Sequence, residues 1–299
     1  MANMYFLGVT TAQSSVHRIF PRWAELAGAA GTKLIGVDLP VEAEPQVYRA
    51  AVERIRSDAE SRGGLVTTHK VQVYRHAGDL FAGFEPDARL LAEVSCIVQR
   101  GGSLTGIAVD TVTSGMALRA FLPEWPFRGS ALILGAGGAA AALAVQLYRA
   151  HQPEQVILTD VSAERLQQVR GLTPARCELV HGPEDHDRLL SRMPPGSLVV
   201  NATGMGKDRA GAPITAAARF PEGAVAWDFN YRGDLRFLEH ARAQGRHAED
   251  GWQYFLHGWS QIMARVLGFA LTAGLFAALR ASAEPFRPPS SYRKDHTVS

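Results

Sequence analysis

Two hydrophobic patterns alternate along the first third of this chain. Apolar runs of strand length are followed by segments in which apolar residues recur at helical spacing. The predicted strands are 5–9, 33–37 and 65–68, and the predicted helices are 16–27, 46–62 and 86–91. The glycine pair at 63–64 is predicted to end the second helix, and strands at 93–99 and 104–109 are predicted to form a hairpin. This alternation indicates an α/β domain.

The alternation becomes more regular in the second half of the chain. A predicted helix at 110–122 and a proline-containing linker at 123–129 lead into it. The apolar runs that mark its five strands are at Leu132, Val156, 177–180, 198–200 and 224–227. Regular strand and helix units of this kind imply a parallel sheet with helices on both faces, which is a doubly wound sheet.

The last apolar segment, residues 252–281, predicts one long helix or a pair of helices. Its apolar surface needs a partner, and we expect the chain to return to the first domain to bury it. The sequence therefore predicts two domains, one of residues 1–112 with 252–283 and one of residues 113–251. The tail at 284–299 is rich in proline, serine and charged residues and is predicted to be disordered.

A glycine-rich turn joins the first strand of the second domain to its first helix. Two of its glycines precede the helix directly, and a further small residue, Ala141, lies in the first helical turn. Glycine lets the backbone turn sharply and approach a ligand, while a helix N-terminus attracts phosphate. The pattern is a variant of the dinucleotide fingerprint and predicts a Rossmann-type domain. The residues predicted to hold the pyrophosphate are Gly135, Ala136, Gly137, Gly138 and Ala139.

An acidic residue follows the next strand at the spacing that the fingerprint expects. Asp160 ends the apolar run that begins at Gln155, and it is predicted to accept hydrogen bonds from the adenosine ribose. A carboxylate at this position repels a 2′-phosphate, which favours NAD over NADP. Arg165 keeps NADP open as the alternative. Asp160 could also be a helix N-cap, a role that is compatible with ribose binding.

Composition narrows the class of protein further. Of the 299 residues, 46% are hydrophobic, and 31 basic against 29 acidic side chains give a formal net charge of +2. That balance favours neither nucleic acid nor a charged membrane surface as a partner. Two cysteines without metal-ligand or disulfide spacing, and an N-terminus without a secretory leader, predict a cytoplasmic protein that holds no metal. We expect a monomer or a homodimer.

Several motifs together resemble the shikimate dehydrogenase family, and they are spread over most of the chain. Besides the glycine turn, the Asn-Ala-Thr stretch that begins at Asn201 is similar to the family's segment on the nicotinamide side of the cofactor. The stretch from Asp228 to Tyr231 resembles the family's Asp-x-x-Tyr strand. The resemblance implies an NAD(P)-dependent, reversible conversion between a hydroxyl and a ketone. The further cofactor-binding residues that it implies are Asn201, Ala202, Thr203, Gly206 and Phe229.

Two further matches concern the family's catalytic residues. Lys70 follows the predicted strand at 65–68 and resembles the family's catalytic lysine, and Asp110 follows the hairpin and resembles its aspartate. The resemblance implies that Lys70 is the general acid/base and Asp110 its partner. Burial would favour the neutral amine that removes a hydroxyl proton, whereas the carboxylate would orient the amine and raise its pKa. The alternatives are a solvated lysine at a strand end and a helix N-cap.

The substrate-binding positions depart from the family pattern. The family's Ser-x-Ser-Pro segment is replaced here by residues 11–14, Thr-Ala-Gln-Ser, and its glutamine on the returning helix is replaced by Gly258. Because a changed set of hydrogen-bonding groups implies a changed substrate, we expect a small cyclic hydroxy or keto compound other than shikimate. Tyr231 could contact the substrate or simply pack in its domain. The predicted substrate contacts are Thr11, Gln13, Ser95, Tyr231 and Gln261.

Two other functions remain open at this point. A methylenetetrahydrofolate-dehydrogenase-like enzyme would share the two-domain plan and a catalytic lysine. A non-catalytic regulatory protein that holds a dinucleotide would also lose substrate-binding residues. The presence of both Lys70 and Asp110 favours the dehydrogenase over the regulatory protein.

Overall fold

The computed structural model describes residues 2–122, 127–207 and 210–289. The chain divides into two compact units, each built on a six-stranded sheet. The first unit runs to Asp110 and includes Leu256–Arg287, and the second contains Thr111–Phe255.

The first unit alternates strands and helices along the chain, because its apolar residues recur alternately at strand and helix spacing. Its strands are β1 (Asn3–Gly8), β2 (Lys33–Asp38), β3 (Ser61–Val66), β4 (Gly83–Phe84), β5 (Cys96–Arg100) and β6 (Ser103–Ile107). Its first four helices are α1 (Val16–Leu26), α2 (Pro45–Ser57), α3 (Lys70–Ala77) and α4 (Pro86–Leu91). The next helix, α5 (Asp110–Phe121), begins at the last residue of this part of the unit.

The sheet of the first unit is mixed, with the strand order β2-β1-β3-β5-β6-β4. Strands β1, β2 and β3 run parallel, and β5 is antiparallel to both β3 and β6. The predicted hairpin is confirmed, since β5 and β6 pair from Cys96 opposite Ile107 to Arg100 opposite Ser103. Because β5 reverses direction between them, β3 and β6 point the same way and end at the same edge of the sheet.

The predicted helix at 46–62 is too long. Helix α2 ends at Ser57, and the glycine pair that was expected to stop it lies inside β3. Gly63 has φ +121, and a Cβ there would overlap the carbonyl oxygen of Ile97 on β5. These glycines therefore allow two strands to approach closely, which is a tertiary requirement that local spacing does not reveal.

The second unit is a regular strand and helix repeat. Its strands are β7 (Ala131–Leu134), β8 (Val156–Asp160), β9 (Arg176–Leu179), β10 (Leu198–Asn201), β11 (Val225–Asp228) and β12 (His247–Glu249). Its helices after α5 are α6 (Gly138–Ala150), α7 (Ala163–Val169), α8 (Pro183–Leu190) and α9 (Arg236–Ala243). The five predicted strands are all present, and the short β12 was missed.

All neighbours in the second sheet are parallel, in the order β12-β11-β10-β7-β8-β9. The order reverses between β7 and β10, which is the point where doubly wound sheets bind ligands at the carboxyl ends of their strands. Strands β7, β10 and β11 are buried along their whole length, because helices cover both faces. The predicted α/β fold class with a doubly wound parallel sheet is confirmed.

The C-terminal apolar segment forms two helices, α10 (Trp252–Leu267) and α11 (Ala273–Ala283). Gly268, at φ +80, ends the first of them in the left-handed region. Within the first unit, the indole Nε1 of Trp23 on α1 donates to the carbonyl oxygen of Leu279 on α11 at 2.9 Å. No helix in the described part of the chain is both long and apolar enough to cross a membrane.

The predicted disordered tail at 284–299 falls only partly within the described residues. Glu284–Phe286 forms a 3-10 turn, so regular structure continues past the predicted boundary. Residues 290–299 of that tail lie outside the described residues, as do residues 123–126 of the predicted linker.

Candidate active site

Three chain segments converge at one edge of the sheet in the first unit. Helix α3 begins at Lys70 after the carboxyl end of β3, and α5 begins at Asp110 after the carboxyl end of β6. Strand β5 lies between them and runs the opposite way, so the residues that precede it meet the same edge. Side chains that are 40 residues apart in sequence are brought together in this way.

The predicted catalytic residues form an ion pair there. The Lys70 ammonium Nζ donates to Oδ2 of Asp110, and the two side chains are only 16% and 7% exposed. Asp110 is the first residue of α5, where the positive end of the helix dipole favours a carboxylate. The structure therefore brings the predicted pair into direct contact in a largely dehydrated place.

The charge state of Lys70 follows from its neighbours. Burial by itself would lower the pKa of the amine, but the carboxylate of Asp110, joined by that of Glu93 where Glu93 is ionised, outweighs burial, so the pKa of Lys70 is raised above its ordinary value. The ammonium form consequently dominates at neutral pH. The side chain is therefore prepared to give a proton rather than to take one.

A strained turn delivers Lys70 to this position. Thr68 has φ +40, in the left-handed region that is unfavourable for a β-branched residue. His69, the next residue, is buried, and its Nε2 lies 3.0 Å from the carbonyl oxygen of Leu39. Strain of this kind persists only when the surrounding structure holds it, and it is found most often at functional sites.

A third ionisable side chain lies in the same cluster and was not predicted from the sequence. Glu93 is fully buried, and neither of its carboxylate oxygens has a hydrogen-bond partner. Its electrostatic neighbours are Lys70 and Asp110. Burial, opposed by Lys70 and reinforced by Asp110, raises the pKa of Glu93 to about 8. The predicted hairpin register could have located it, because Glu93 precedes β5 at the edge where β6 delivers Asp110.

Two of the predicted substrate contacts already have hydrogen-bond partners within the protein. Thr11 is buried, and both its hydroxyl and its backbone N–H donate to Oδ1 of Asp38, at 2.5 and 2.7 Å. The hydroxyl of Ser95 is buried as well; it accepts from the backbone N–H of Val109 at 2.9 Å. In this structure these two hydroxyls connect strand ends at the edge of the sheet that carries Lys70.

The other three predicted substrate contacts differ in setting. Gln13 is exposed at the end of a 3-10 turn that follows β1, and Gln261 is half-buried on α10. Tyr231 is half-buried in the second unit, where its ring lies 5.4 Å from that of Trp252 and 4.7 Å from that of Phe255. The aromatic packing that was considered for Tyr231 is therefore present.

The glycine turn of the second unit has the geometry of a phosphate-binding loop. Gly135 has φ +105, and a Cβ there would lie 2.8 Å from the carbonyl oxygen of Ala202. Gly137 caps α6 without a side-chain hydrogen bond, and a Cβ at this residue would meet open space. The first N–H groups of a helix of 13 residues are thus left uncapped by side chains. This arrangement fits the pyrophosphate of a dinucleotide.

Asp160 lies at the carboxyl end of β8 and holds the glycine turn. Its Oδ2 accepts from the backbone N–H of Ala136 at 2.9 Å, and its Oδ1 accepts from that of Ser162 at 2.9 Å. Nη1 of Arg165 approaches the same carboxylate at 3.3 Å. The N-cap of α7 is Ser162 rather than Asp160. The carboxylate therefore lies where the fingerprint places it, and the guanidinium of Arg165 beside it offsets part of its negative charge.

A second loop reaches the same point of the sheet after β10. The side-chain amide of Asn201 donates to Oδ2 of Asp228 at 2.7 Å, and its oxygen accepts from the hydroxyl of Thr203 at 2.7 Å. The backbone N–H of Ala202 donates to the carbonyl oxygen of Leu134, which immediately precedes the glycine turn. Asn201 and Thr203 therefore shape the loop, and Gly206, at φ +89, continues it.

A buried carboxyl and a half-buried aromatic ring follow each other at the end of β11. Asp228 is fully buried; burial, opposed by hydrogen bonds from Asn230 and Asn201, raises its pKa to about 7. The ring of Phe229 packs between Trp227 at 4.6 Å and Tyr254 at 4.8 Å. Over residues 2–122, 127–207 and 210–289 there is no cluster of three side chains that could hold a metal ion.

This chain is similar to known proteins in sequence and in structure. The shikimate dehydrogenase (NADP(+)) of Symbiobacterium thermophilum is 30% identical over 224 residues, which cover 71% of this chain and 72% of that protein. No protein-family model matches the chain.

The chain belongs to the shikimate dehydrogenase family.

Solved structures agree with the fold of this family. The shikimate 5-dehydrogenase of Thermus thermophilus, in complex with NADP(H) and shikimate, superimposes with a TM-score of 0.71 at 24% identity, covering 96% of this chain and all of that one. The quinate dehydrogenase of Corynebacterium glutamicum, in complex with NAD, gives a TM-score of 0.72 at 19% identity, covering 95% and 99%. At these identities the likeness concerns the fold alone.

Membership in the shikimate dehydrogenase family confirms the predicted class of enzyme. The protein is an NAD(P)-dependent dehydrogenase acting on a CH–OH group, and the folate-enzyme and regulatory alternatives are set aside. The sequence also favoured NAD over NADP, whereas the relative from Symbiobacterium carries NADP(+) in its name.

Proposed function

We propose that this protein interconverts a secondary hydroxyl and a ketone on a small cyclic hydroxy acid of the shikimate and quinate type, with Lys70 as the general acid/base. The single observation that carries the proposal is the ion pair of Lys70 and Asp110 at the edge of the first sheet. A buried ion pair adds little net stability, because the cost of dehydrating two charges offsets much of their attraction. Stability alone therefore does not account for this pair.

The chemistry of the pair follows from its charge state. In the reduction of a ketone, the Lys70 ammonium gives its proton to the developing alkoxide oxygen, and Asp110 keeps the amine in position. In the oxidation of the hydroxyl, a neutral Lys70 amine removes the hydroxyl proton. Because the pKa of Lys70 is raised, oxidation should become faster as the pH rises above neutrality. The bound nicotinamide supplies or accepts the hydride.

The residues proposed to hold the dinucleotide lie around the switch point of the second sheet. The N–H groups at the start of α6 and the backbone of Gly135 to Ala139 receive the pyrophosphate. The loop of Asn201, Ala202, Thr203 and Gly206 lies beside this turn, and with Phe229 it is assigned to the nicotinamide half. These roles rest on the resemblance to the family together with the geometry of the two loops.

Of the five predicted substrate contacts, three are proposed as the main ones. Gln13, Gln261 and Tyr231 are the side chains that remain at least partly exposed. Thr11 and Ser95 would have to share hydroxyls that already bond within the protein. A site with this set of groups is expected to select a compound that differs from shikimate in its polar substituents.

Substitution of Lys70 tests the proposed reaction. With NAD and NADP each supplied, formation of the reduced nicotinamide is followed against shikimate, quinate and other cyclic polyols. Lys70→Ala should lower turnover of the accepted substrate by about 10²- to 10⁴-fold, while the Kd for the dinucleotide, measured by calorimetry, stays close to that of the wild type. Lys33→Ala, which removes an exposed lysine of β2, is the matched control. Unchanged turnover in Lys70→Ala would contradict the proposal.

We further propose that NAD is the preferred cofactor. The Asp160 carboxylate repels a 2′-phosphate, and Arg165 offsets only part of that repulsion. Asp160→Asn keeps the hydrogen-bond acceptor for Ala136 and should lower the ratio of kcat/KM for NAD to that for NADP by about tenfold or more. Arg165→Gln should move the same ratio in the opposite direction. A wild-type enzyme that prefers NADP would overturn this preference.

A further inference from the structure

The carboxyl of Glu93 is a buried charge-bearing group near Lys70 that the proposed reaction leaves without a role. It is fully buried, and both Oε1 and Oε2 lack a hydrogen-bond partner. Buried polar groups in native proteins are nearly always hydrogen-bonded, so such an exception requires an explanation. Glu93 is also too enclosed to touch a substrate without rearrangement. Whatever it does must act through its neighbours.

Its position in the fold fixes which neighbours those are. Glu93 follows α4 and stands just before β5, and the backbone N–H of the next residue, Val94, donates to the carbonyl oxygen of Lys70 at 3.1 Å. Both segments belong to the first unit. The ionisable groups that act on the Glu93 carboxyl are Lys70, with an opposite charge, and Asp110, with a like charge. Glu93 is therefore held in register with the start of α3.

We propose that Glu93 is a positioning residue that acts on Lys70. It is the third ionisable member of the Lys70–Asp110 cluster, and its ionised carboxyl keeps Lys70 protonated under alkaline conditions. A negative charge fixed in a dehydrated place acts strongly on a nearby amine, because little solvent screens it. The carboxyl of Glu93 forms no hydrogen bond, so its influence depends on charge alone. An amide of the same shape should lose that influence while filling the same space.

The cluster should then titrate in two linked steps. Below about pH 8 the Glu93 carboxyl is neutral, and Asp110 alone supports the Lys70 ammonium. As the pH rises through about 8, Glu93 ionises and adds its negative charge, which opposes loss of the Lys70 proton at higher pH. The consequence, which rests on the proposed function, is that ketone reduction stays active to a higher pH than Asp110 alone would allow.

Direct titration of Lys70 tests this without any assay of activity. The chain has only four lysines, at 33, 70, 207 and 294, so protein labelled with ¹³C at lysine Cε gives a simple NMR spectrum, and Lys70→Met identifies the Lys70 signal. In Glu93→Gln the Lys70 signal should titrate about one pH unit lower than in the wild type. An unchanged or higher titration midpoint would overturn the proposal.

A matched variant and an internal check accompany this experiment. Glu53→Gln removes a half-exposed carboxylate that pairs with Arg56 on α2, and it should leave the Lys70 midpoint where it is. Wild-type protein alone also answers the question if Glu93→Gln does not fold. Its Lys70 signal should show a small inflection near pH 8, where Glu93 ionises, before its own titration. A Lys70 signal without that inflection counts against the proposal.

The kinetic arm separates this inference from the proposed function. With an accepted ketone as substrate, the alkaline limb of kcat/KM for reduction should move down by about one pH unit in Glu93→Gln, with little change at pH values below neutrality. If the NMR midpoint moves while no cyclic ketone is reduced, the cluster is established and the proposed reaction fails. If the reaction is found and the alkaline limb stays in place, the role of Glu93 fails.

Discussion

Glu93 in the first unit and Asp228 in the second are both completely buried carboxyls, and they differ in their hydrogen bonds. Asp228, at the end of β11, accepts from the side-chain amide of Asn201 at 2.7 Å and from the backbone N–H of Asn230 at 2.8 Å. Glu93, before β5, accepts no hydrogen bond. Burial is the largest cause that raises the pKa of each group, to about 7 for Asp228 and about 8 for Glu93.

The difference indicates what each carboxyl does. Asp228 is part of the hydrogen-bond network that holds the loop after β10, so its removal leaves donors unpaired. The Glu93 side chain contributes no hydrogen bond that orders the chain, so its removal should change charge more than structure. Burial thus sets the direction of a pKa shift, whereas hydrogen bonding decides whether the group is structural.

The largest expected effect on stability comes from breaking the hydrogen-bond network around Asp228. Asp228→Ala should lower the free energy of unfolding by about 2–4 kcal/mol, because the backbone N–H of Asn230 and one donor of Asn201 lose their acceptor in a buried place. Asp228→Asn retains one acceptor oxygen and should cost about half as much. Urea unfolding followed by circular dichroism measures both.

Glu93→Ala leaves a cavity and is a poor comparison, so Glu93→Gln is the matched variant. If Glu93→Gln were as destabilising as Asp228→Ala at neutral pH, the contrast between a hydrogen-bonded and an unbonded carboxyl would be lost. A loss in the free energy of unfolding that is larger by at least about 1 kcal/mol in Asp228→Ala than in Glu93→Gln supports the contrast.

A second, smaller effect concerns the glycine turn of the second unit. Gly135→Ala places a Cβ at φ +105 and 2.8 Å from the carbonyl oxygen of Ala202. We expect a loss of about 1–3 kcal/mol in stability and a weaker Kd for NAD, because the turn must move to relieve the overlap. For stability alone, Gly137→Ala is the control, since its Cβ meets open space and its φ is −73. Equal losses in the two variants would argue against a strained turn at Gly135.

The smallest effect is a pH dependence of the free energy of unfolding, which distinguishes the buried carboxyl of Glu93 from one exposed to solvent. Its pKa in the folded protein, about 8, lies above the ordinary value of 4.5, so its contribution to stability is fully present below pH 4.5 and is lost as the pH rises through about 8. Glu93→Gln lacks this titration. Relative to the wild type, the variant should therefore gain at least about 1 kcal/mol between about pH 5 and about pH 8.

Urea unfolding of the two proteins at those pH values checks the prediction. The wild type must lose stability faster than the variant as the pH rises. A constant difference between them would mean that Glu93 titrates alike in the folded and unfolded chains, which would contradict the raised pKa of Glu93.

Much of the fold was accessible from the sequence, because periodicity reports which faces are buried. The five main strands of the second unit, the glycine turn and the β5–β6 hairpin were predicted at or near their observed places. Helix α3 was missed, since its eight residues have little apolar periodicity, and β3 was begun too late because its glycines resembled a helix stop.

The candidate site was predicted unevenly, for a physical reason. Lys70 and Asp110 were found through the resemblance to a family, and their contact agrees with the predicted strand ends. Glu93 was overlooked because a glutamate in a sequence is by default a solvated surface charge. Thr11 and Ser95 stay predicted substrate contacts, and the structure adds that their hydroxyls bond to Asp38 and to the backbone of Val109.

By itself, the sequence determined the α/β class, the dinucleotide turn and the acidic residue at the end of β8, because these depend on short-range spacing and on residue types that only a few conformations accept. Tertiary structure alone decided that a lysine, an aspartate and a glutamate from three separate segments share one buried place. Charge states follow from burial and from neighbours, and neither is a local property of the chain. The proton chemistry proposed for this protein therefore depends on its strand order.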